Sequence, residues 1–401
     1  MLLNISARVA GNSPVTFVAS KQPNFSTIDS ESAVLTPVFA SSWVAKGKIN
    51  LPELNTTYYI ACRVGGVIRP TNNKVKTPKA ALGSSETFQF GAGSCNDTGS
   101  TANTFLRLGD RADSGEMDFF IHLGDIHYSD IAINDPIRFN REYNRALGIN
   151  GTTGSFFRKC PLIYMWDDHD YGPDNSSSDS PSREASVATY RSRSPYNLAS
   201  SNPSDGVYYA FTRGRVRFIV TDVRSERSPL TQSDDANKVV FSAAQKTWFF
   251  TELQDAKDNN LFVCWVNTKP WCAAAESSAD HWGGYSTTRT EIGNYINSLN
   301  INNQMFILSG DMHALAYDDG SSINNTSGLK IIQAAPLDRF NSSKGGPYTT
   351  GPIAHRQTQY GLIDITDTGG SSISIRFRGY SCSVSTQNED LVLDESFTLT
   401  L

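Results

Sequence analysis

Asp118-Phe119-Phe120-Ile121-His122-Leu123-Gly124-Asp125-Ile126-His127-Tyr128 decides the architecture of this chain. The uncharged run Phe119–Ile121 ends on a glycine and a carboxylate. A short run that is apolar at successive positions reads as a strand buried on both faces. Gly124 lets the backbone turn sharply where that strand stops. Asp125 then stands at the carboxyl end of a core strand, the place where open α/β sheets bind ligands. Its two oxygens suit it to bridge two cations, and a tight turn folds Tyr128 back to the same point. The competing reading makes Asp125 a cap and Tyr128 a packing residue. The lack of charge in Phe119–Ile121 favours the site.

Three more apolar runs stop in the same way. Phe88–Gly93 is followed by Ser94-Cys95-Asn96, and a thiolate is a strong ligand for iron or zinc. A lone strand-end cysteine is usually only buried, so Cys95 gains weight from its companions. Pro161–Trp166 leads into Asp167-Asp168-His169-Asp170. Carboxylates packed that closely repel one another and need cations or partners to neutralise them. Met305–Leu308 leads into Ser309-Gly310-Asp311-Met312-His313. Asp311 and His313 are two residues apart, which lets both point to one side of a strand end. Ligands from such distant strand ends converge on one crevice.

Two further features are weaker. Lys269-Pro270-Trp271 after Asn267, then Asp280–Tyr285 and Arg289, suit a lid or substrate wall. Arg224 and Arg227 suit phosphate, or simple pairing with Asp222 and Glu226. A structural role is favoured for both features.

Before residue 86 the pattern is different. Val15–Ala19, Val34–Phe39, Val44–Leu51 and Tyr58–Val64 read as short strands, and Tyr58, Ile60, Cys62 and Val64 alternate with Tyr59, Ala61 and Arg63. Leu54 before Tyr58 resembles the corner of a fibronectin-like sandwich, so residues 1–83 are expected to form a small all-β sandwich. Thr77–Ser85 reads as the linker. From 86 to 401 strands and helices alternate, with Val216–Thr221 and Leu261–Val266 as further strands. Thr101–Arg111, Pro136–Leu147 and Ser242–Ala256 read as helices, the last capped by Ser242 and facing the core through Ala244, Trp248 and Leu253. This is an α/β pattern. Tyr360–Ile365, Ser372–Tyr380 and Ser396–Leu401 read as strands closing a second sheet. Ser176–Ser182 reads as a mobile rim or an ordinary surface loop.

Composition narrows the function classes. A formal net charge of −5 gives the chain no drive towards nucleic acid or anionic membrane. No apolar run is long enough to cross a bilayer, and Met1–Arg8 lacks the layout of a secretory signal. A cytosolic chain and a mature exported one both fit. The six cysteines form no CxxC pair, which argues against a zinc ribbon or disulfide scaffold. For Cys264 and Cys272, two buried thiols are favoured over a bridge.

Taken in order, the motifs resemble the alkaline phosphatase D family of the calcineurin-like metallophosphoesterases over nearly the whole chain. HLGDxxY stands at His122–Tyr128, and WDDHE at Trp166–Asp170 with Asp170 in place of Glu. DxRxxR stands at Asp222–Arg227, WxGY at Trp282–Tyr285 and GDxH at Gly310–His313. The resemblance implies two stacked mixed β-sheets flanked by helices, preceded by the small sandwich. It implies iron (Fe3+) held by Cys95, Asp125 and Tyr128 with His313. Asp125 would bridge, and Asp168 and Asp311 would serve a second metal, calcium (Ca2+) in the family. His169 takes the place of the histidine that faces the substrate. Asp311, and Asn267 nearby, stand where many relatives have histidine, and oxygen ligands favour a hard cation such as calcium or magnesium over zinc. The end of the chain reads as strands, with no helix to cover the site.

The expected function is hydrolysis of small-molecule or polymer phosphate esters by a metal-bound hydroxide, with His169 assisting and Asp170 or Asp167 orienting it. The close alternative is a diesterase acting on phospholipid or cell-wall polymer. A non-catalytic binding protein on the same scaffold is the alternative of another class. The family is commonly exported, which makes an extracellular or periplasmic location the expectation from resemblance.

Overall fold

The computed structural model describes residues 1–39, 42–148, 151–340, 342–354, 358–386 and 388–401. The chain opens with β1 (Leu2–Arg8), β2 (Val15–Ser20), β3 (Ser30–Glu31), β4 (Val44–Asn50), β5 (Thr57–Val64) and β6 (Val67–Lys76). β1 pairs antiparallel with β4, and β3-β2-β5-β6 form a second antiparallel sheet. Phe17, Ala19, Ile49, Tyr58 and Ile60 share the core between them. The Tyr58 hydroxyl accepts the Glu53 N–H at 3.4 Å, closing the corner before β5. Val34–Phe39 is not a strand. Leu35 and Val38 make only single bridges, to Val15 and Val44, and Val34, Val38 and Phe39 are exposed. Pro37 fixes φ and removes a donor in the middle of that run. β1, β3 and β6 are additional to the expected strands.

Next come β7 (Phe88–Gly93), α1 (Asn103–Ser114), β8 (Phe119–His122), α2 (Pro136–Ala146), α3 (Thr152–Phe156) and β9 (Leu162–Tyr164). α4 (Asp168–Tyr171), α5 (Arg183–Arg193), β10 (Tyr209–Arg213), β11 (Val216–Val220), α6 (Ala243–Asp258), β12 (Phe262–Val266) and α7 (Ser286–Leu299) follow. The chain finishes with β13 (Met305–Ser309), β14 (Leu315–Asp318), β15 (Lys330–Gln333), β16 (Thr350–Ile353), β17 (Gln359–Thr366), β18 (Ser372–Cys382) and β19 (Glu389–Thr400). One mixed sheet has the order β10-β11-β12-β13-β15-β14-β16, the other β19-β18-β17-β7-β8-β9. The last three strands do close the second sheet.

Side-chain alternation explains the layering. Phe218, Val220, Cys264, Val266, Phe306 and Leu308 face Phe90, Phe119, Ile121 and Ile363 of the other sheet. Ile219, Val263, Trp265, Met305 and Ile307 face the opposite way, onto Phe249 and Leu253 of α6 and Ile292 and Ile296 of α7. Phe120 and Leu362 lie on Phe105 and Leu108 of α1. Each such side chain, fully buried, stabilises the fold by about 1.5–3 kcal/mol. The result is two stacked mixed sheets with helices on their outer faces. All six cysteines are free thiols, with Cys264 between the sheets and Cys272 in the core on the helix side. The Ser242 hydroxyl caps α6 by accepting the Gln245 N–H at 3.2 Å. Its buried face runs through Gln245, Phe249, Leu253 and Ala256, not through Ala244 and Trp248.

Candidate metal centre

β7, β8 and β9 run parallel, as do β11, β12 and β13 in the other sheet. Their carboxyl ends meet at one edge of the sandwich. The approach is close: a Cβ on Gly310 would lie 2.8 Å from Ser94 Oγ and 2.9 Å from Leu123 Cβ. Gly124, at φ 96°, would place a Cβ 2.4 Å from Asp167 Cβ. Cys95 (φ 64°), Asp125 (57°), Asp311 (66°) and His313 (52°) all take left-handed backbone. For side chains such as Cys95 and His313 this costs about 1–2 kcal/mol each, which the surrounding packing offsets.

These turns bring a mixed donor set together. The Tyr128 hydroxyl lies 3.0 Å from Asp125 Oδ2 and 3.0 Å from His313 Nε2. Cys95 Sγ lies 3.5 Å from Asp125 Oδ2. Donor atoms of Cys95, Asp125 and His313 lie within 4.8 Å of one another. His313 Nδ1 donates to the Phe340 carbonyl at 2.5 Å, which leaves Nε2 as the lone-pair nitrogen facing the cluster. Burial pushes the Cys95 thiol, the Asp125 carboxyl and the Tyr128 phenol well up. The Asp125 charge adds to the first and third effects and that of Asp168 to the second. Buried acids that suppress one another's ionisation are released together by a cation. Sulfur, phenol, imidazole and carboxylate in one cluster fit a transition metal.

A second set is all oxygen. Carboxylate atoms of Asp125, Asp167, Asp168 and Asp311 lie within 4.8 Å of one another, and Asp125, Asp168 and His169 form a third such group. Asp125 is common to all three groups. This set suits a hard cation, and the buried Asp167 Oδ2 has no hydrogen-bond partner. Fixed cations already lie around it. The buried Arg224 guanidinium binds Asp167 through Nε, Asp168 through Nη2 at 2.8 Å and Asp280 through Nη1 at 2.9 Å. Lys269 Nζ binds Asp280 and, at 3.1 Å, Asp311, while Lys344 Nζ reaches Asp311 Oδ1 at 2.8 Å. Burial raises the Asp311 and Asp280 carboxyls, but these neighbouring cations outweigh it and hold both down.

His169 sits beside this set, its ring 4.0 Å from that of Tyr128. Neither Asp170 nor Asp167 orients it. Asp170, the third residue of α4, turns inward to the N–H of His127 (3.0 Å) and the Tyr164 hydroxyl (2.8 Å). Asp167 is taken by Arg224 and by the Thr268 hydroxyl at 3.1 Å. Asp130 Oδ1 holds His169 Nδ1 instead, at 2.6 Å. Burial lowers the imidazole pKa, but the Asp130 bond and the charges of Asp125 and Asp168 outweigh it and raise the value to about 10.

The family model of the PhoD-like phosphatases matches residues 90–343. The chain belongs to that family. It is 24% identical over 311 residues to alkaline phosphatase D of Bacillus subtilis (strain 168), covering 65% of this chain and 52% of that protein. The chain thus spans about half the length of the curated relative it matches. A solved structure of PhoD superposes with a TM-score of 0.74 at 18% identity, covering 99% of this chain and 87% of that one. The purple acid phosphatase PPD1 from yellow lupin (Lupinus luteus) seeds superposes at 0.60 and 10% identity, over 100% of this chain and 72% of that one. At those identities the two structures show the fold.

Within this member of the PhoD-like family, the partners of Arg224 and Arg227, and some residues around the centre altogether, escaped sequence reasoning. Arg224 pairs with Asp167, Asp168 and Asp280 rather than with the side chains of Asp222 and Glu226. Asp222 instead accepts Trp166 Nε1 at 2.9 Å and Glu226 accepts the Gly206 N–H at 2.8 Å. Arg227 reaches Asp280 at 2.6 Å, Ser177 Oγ at 3.1 Å and the Asn175 carbonyl at 2.9 Å. It thereby ties down Ser176–Ser182, in which Ser177, Ser180 and Ser182 are buried. Asp130 has no sequence signal beyond lying five residues after Asp125. A strap after β15 is the largest omission. Asp338 N–H binds the Cys95 carbonyl at 3.1 Å, Arg339 lies 3.8 Å over the Tyr128 ring, Phe340 accepts from His313, and Lys344 pairs with Asp311. Its sequence signal was Arg339 and Lys344-Gly345-Gly346, two cations ending on a glycine pair. Among the described residues no helix is long and apolar enough to cross a membrane.

Proposed function

We propose that this chain hydrolyses phosphate esters at a two-metal centre. The observation that carries the reading is the sharing of Asp125 by all three clustered donor groups. Cys95, Asp125, Tyr128 and His313 would hold Fe3+, and Asp125, Asp168 and Asp311 would hold Ca2+ or another hard divalent cation. Metals held at these positions would supply positive charge to the phosphoryl oxygens and lower the pKa of water. The chain's own groups do the rest. His169, held by Asp130, would donate a hydrogen bond to a developing negative oxygen or a proton to the leaving group. Arg224 and Lys269 hold Asp167, Asp168 and Asp311 in place and favour the ionised form of Asp168 and Asp311. Small-molecule or polymer esters and an exported location, both suggested by the family, belong to the same proposal.

Elemental analysis of the purified chain, with hydrolysis of nitrophenyl phosphate and its bis-ester, tests the reading. Bound iron with a second cation, a visible tyrosinate-to-iron band and loss of hydrolysis on chelation are expected. His169→Asn should lower turnover about 10²- to 10⁴-fold, the range for one general acid, with metal content unchanged. Metal loss in that variant would make His169 a ligand instead. No metal and no hydrolysis after reconstitution would sink the phosphoesterase reading.

A further inference from the structure

Two lysines share the Asp311 carboxylate, and they differ in kind. Lys269 is enclosed, with 4% of its side chain exposed, and it is also bound to Asp280. Lys344 comes from the strap at the rim, and 28% of its side chain is exposed. The strap is fixed on both sides of Lys344. Leu337 N–H binds the Ser94 carbonyl at 2.8 Å, and Gly346 N–H binds the Cys272 carbonyl. Lys344 thus hangs from pinned backbone with its ammonium against the acidic set, where an arriving phosphoryl group would meet it. Asp311 keeps Lys269 if Lys344 turns away. Lys344 is the more exposed of the two ammonium groups on Asp311, so it is the one free to turn from that carboxylate towards a phosphate oxygen. Arg339, on the same strap, is engaged by the Tyr128 ring and by Asp97, which leaves Lys344 as the strap's cation facing the acidic set.

We propose that Lys344 is a specificity-determining residue that binds a terminal phosphate oxygen and so favours phosphomonoesters over phosphodiesters. The inference rests on the phosphoesterase reading. A monoester presents three non-bridging oxygens and up to two negative charges. A diester presents two such oxygens and one charge. An ammonium added beside the metal positions meets an unmatched oxygen in the first substrate and a carbon-bearing one in the second. Charge-assisted hydrogen bonds are the strong ones, which makes this a selective contact.

The test is the ratio of kcat/KM for p-nitrophenyl phosphate to that for bis-p-nitrophenyl phosphate, in the metal-loaded full chain. Lys344→Gln should lower the ratio about 10- to 100-fold, the scale of one charged hydrogen bond, and Lys344→Arg should recover most of it. An equal loss on both esters, or no loss, would overturn the inference. If the wild-type chain hydrolyses neither ester, the phosphoesterase reading fails. Calorimetric binding of orthophosphate then judges Lys344 separately. Binding weakened tenfold or more in Lys344→Gln supports its role, and binding equal in both proteins, or absent from both, refutes it.

Discussion

On one side of Asp125 stand Cys95, Tyr128 and His313, whose reactive atoms hydrogen-bond or abut one another and Asp125. On the other stand Asp167, Asp168 and Asp311, each paired with Arg224, Lys269 or Lys344. Arg339 approaches the first side only over the face of the Tyr128 ring, and its ion-pair partner is Asp97. The two sides handle buried charge differently. In the first, burial raises the thiol, carboxyl and phenol pKa values, so a cation is what favours their ionisation. The second is placed in advance by fixed cations, which hold the Asp168 and Asp311 carboxyls down while burial still raises that of Asp167. Under the proposed reading a centre built this way separates assembly from charge: the thiol and phenol would select the metal, and the guanidinium and ammonium groups hold the crevice in shape.

The largest effect should come from the residue both sides share. Asp125→Asn keeps the shape but removes the bridging charge. Metal should be lost from both positions, and hydrolysis of nitrophenyl phosphate should fall about 10³-fold or more, as several kcal/mol of charge stabilisation disappear. Retention of both metals in that variant would end the idea of a shared ligand. Next comes Arg224→Met, which leaves Asp167, Asp168 and Asp280 without their guanidinium in a fully buried place. Removing one partner of a buried ion pair costs about 3–5 kcal/mol, so the melting temperature should drop by several degrees. Added calcium should recover more of that loss in the variant than it adds to the wild type. Equal calcium responses would mean that Arg224 does not stand in for charge at the second side.

The first side was the more legible in the sequence, for a physical reason. Its donors sit directly at strand ends, and a buried strand announces its end by an abrupt change from apolar residues to glycine and a ligand type. Gly93-Ser94-Cys95, Gly124-Asp125 and Gly310-Asp311-Met312-His313 all carry that change. The second side depends on partners chosen by tertiary contact. Nothing local to Asp222–Arg227 says that Arg224 crosses to Asp167 and Asp168, more than fifty residues earlier, when Asp222 and Glu226 are adjacent in sequence. In the first 83 residues the alternation of Tyr58–Val64 identified β5. The apolar look of Val34–Phe39 misled because Pro37 and two lone bridges leave it outside the ladders. The strap escaped because an irregular segment has no period to read; its two cations and glycine pair were its sole signature.

The smallest effect should come from the rim, where His169 leans on a carboxylate that is half in water. Asp130 is 47% exposed, and a pair that solvated is worth at most about 1 kcal/mol. Asp130→Asn should therefore lower turnover only about 3- to 5-fold, with metal content and melting temperature unchanged, and Asp130→Glu should restore most of the rate. The modest size is informative. The interior carboxylates Asp167 and Asp170 are closer in sequence to His169 but are committed to Arg224, His127 and Tyr164, so they cannot take over when Asp130 is neutralised. A loss of 10²-fold or more would show that Asp130 does more than steer the ring. No loss at all would show that Asp174, 3.6 Å from His169 Nε2, and the Tyr128 ring already hold His169, and that the contrast between fixed interior charge and adaptable rim charge extends to His169 itself.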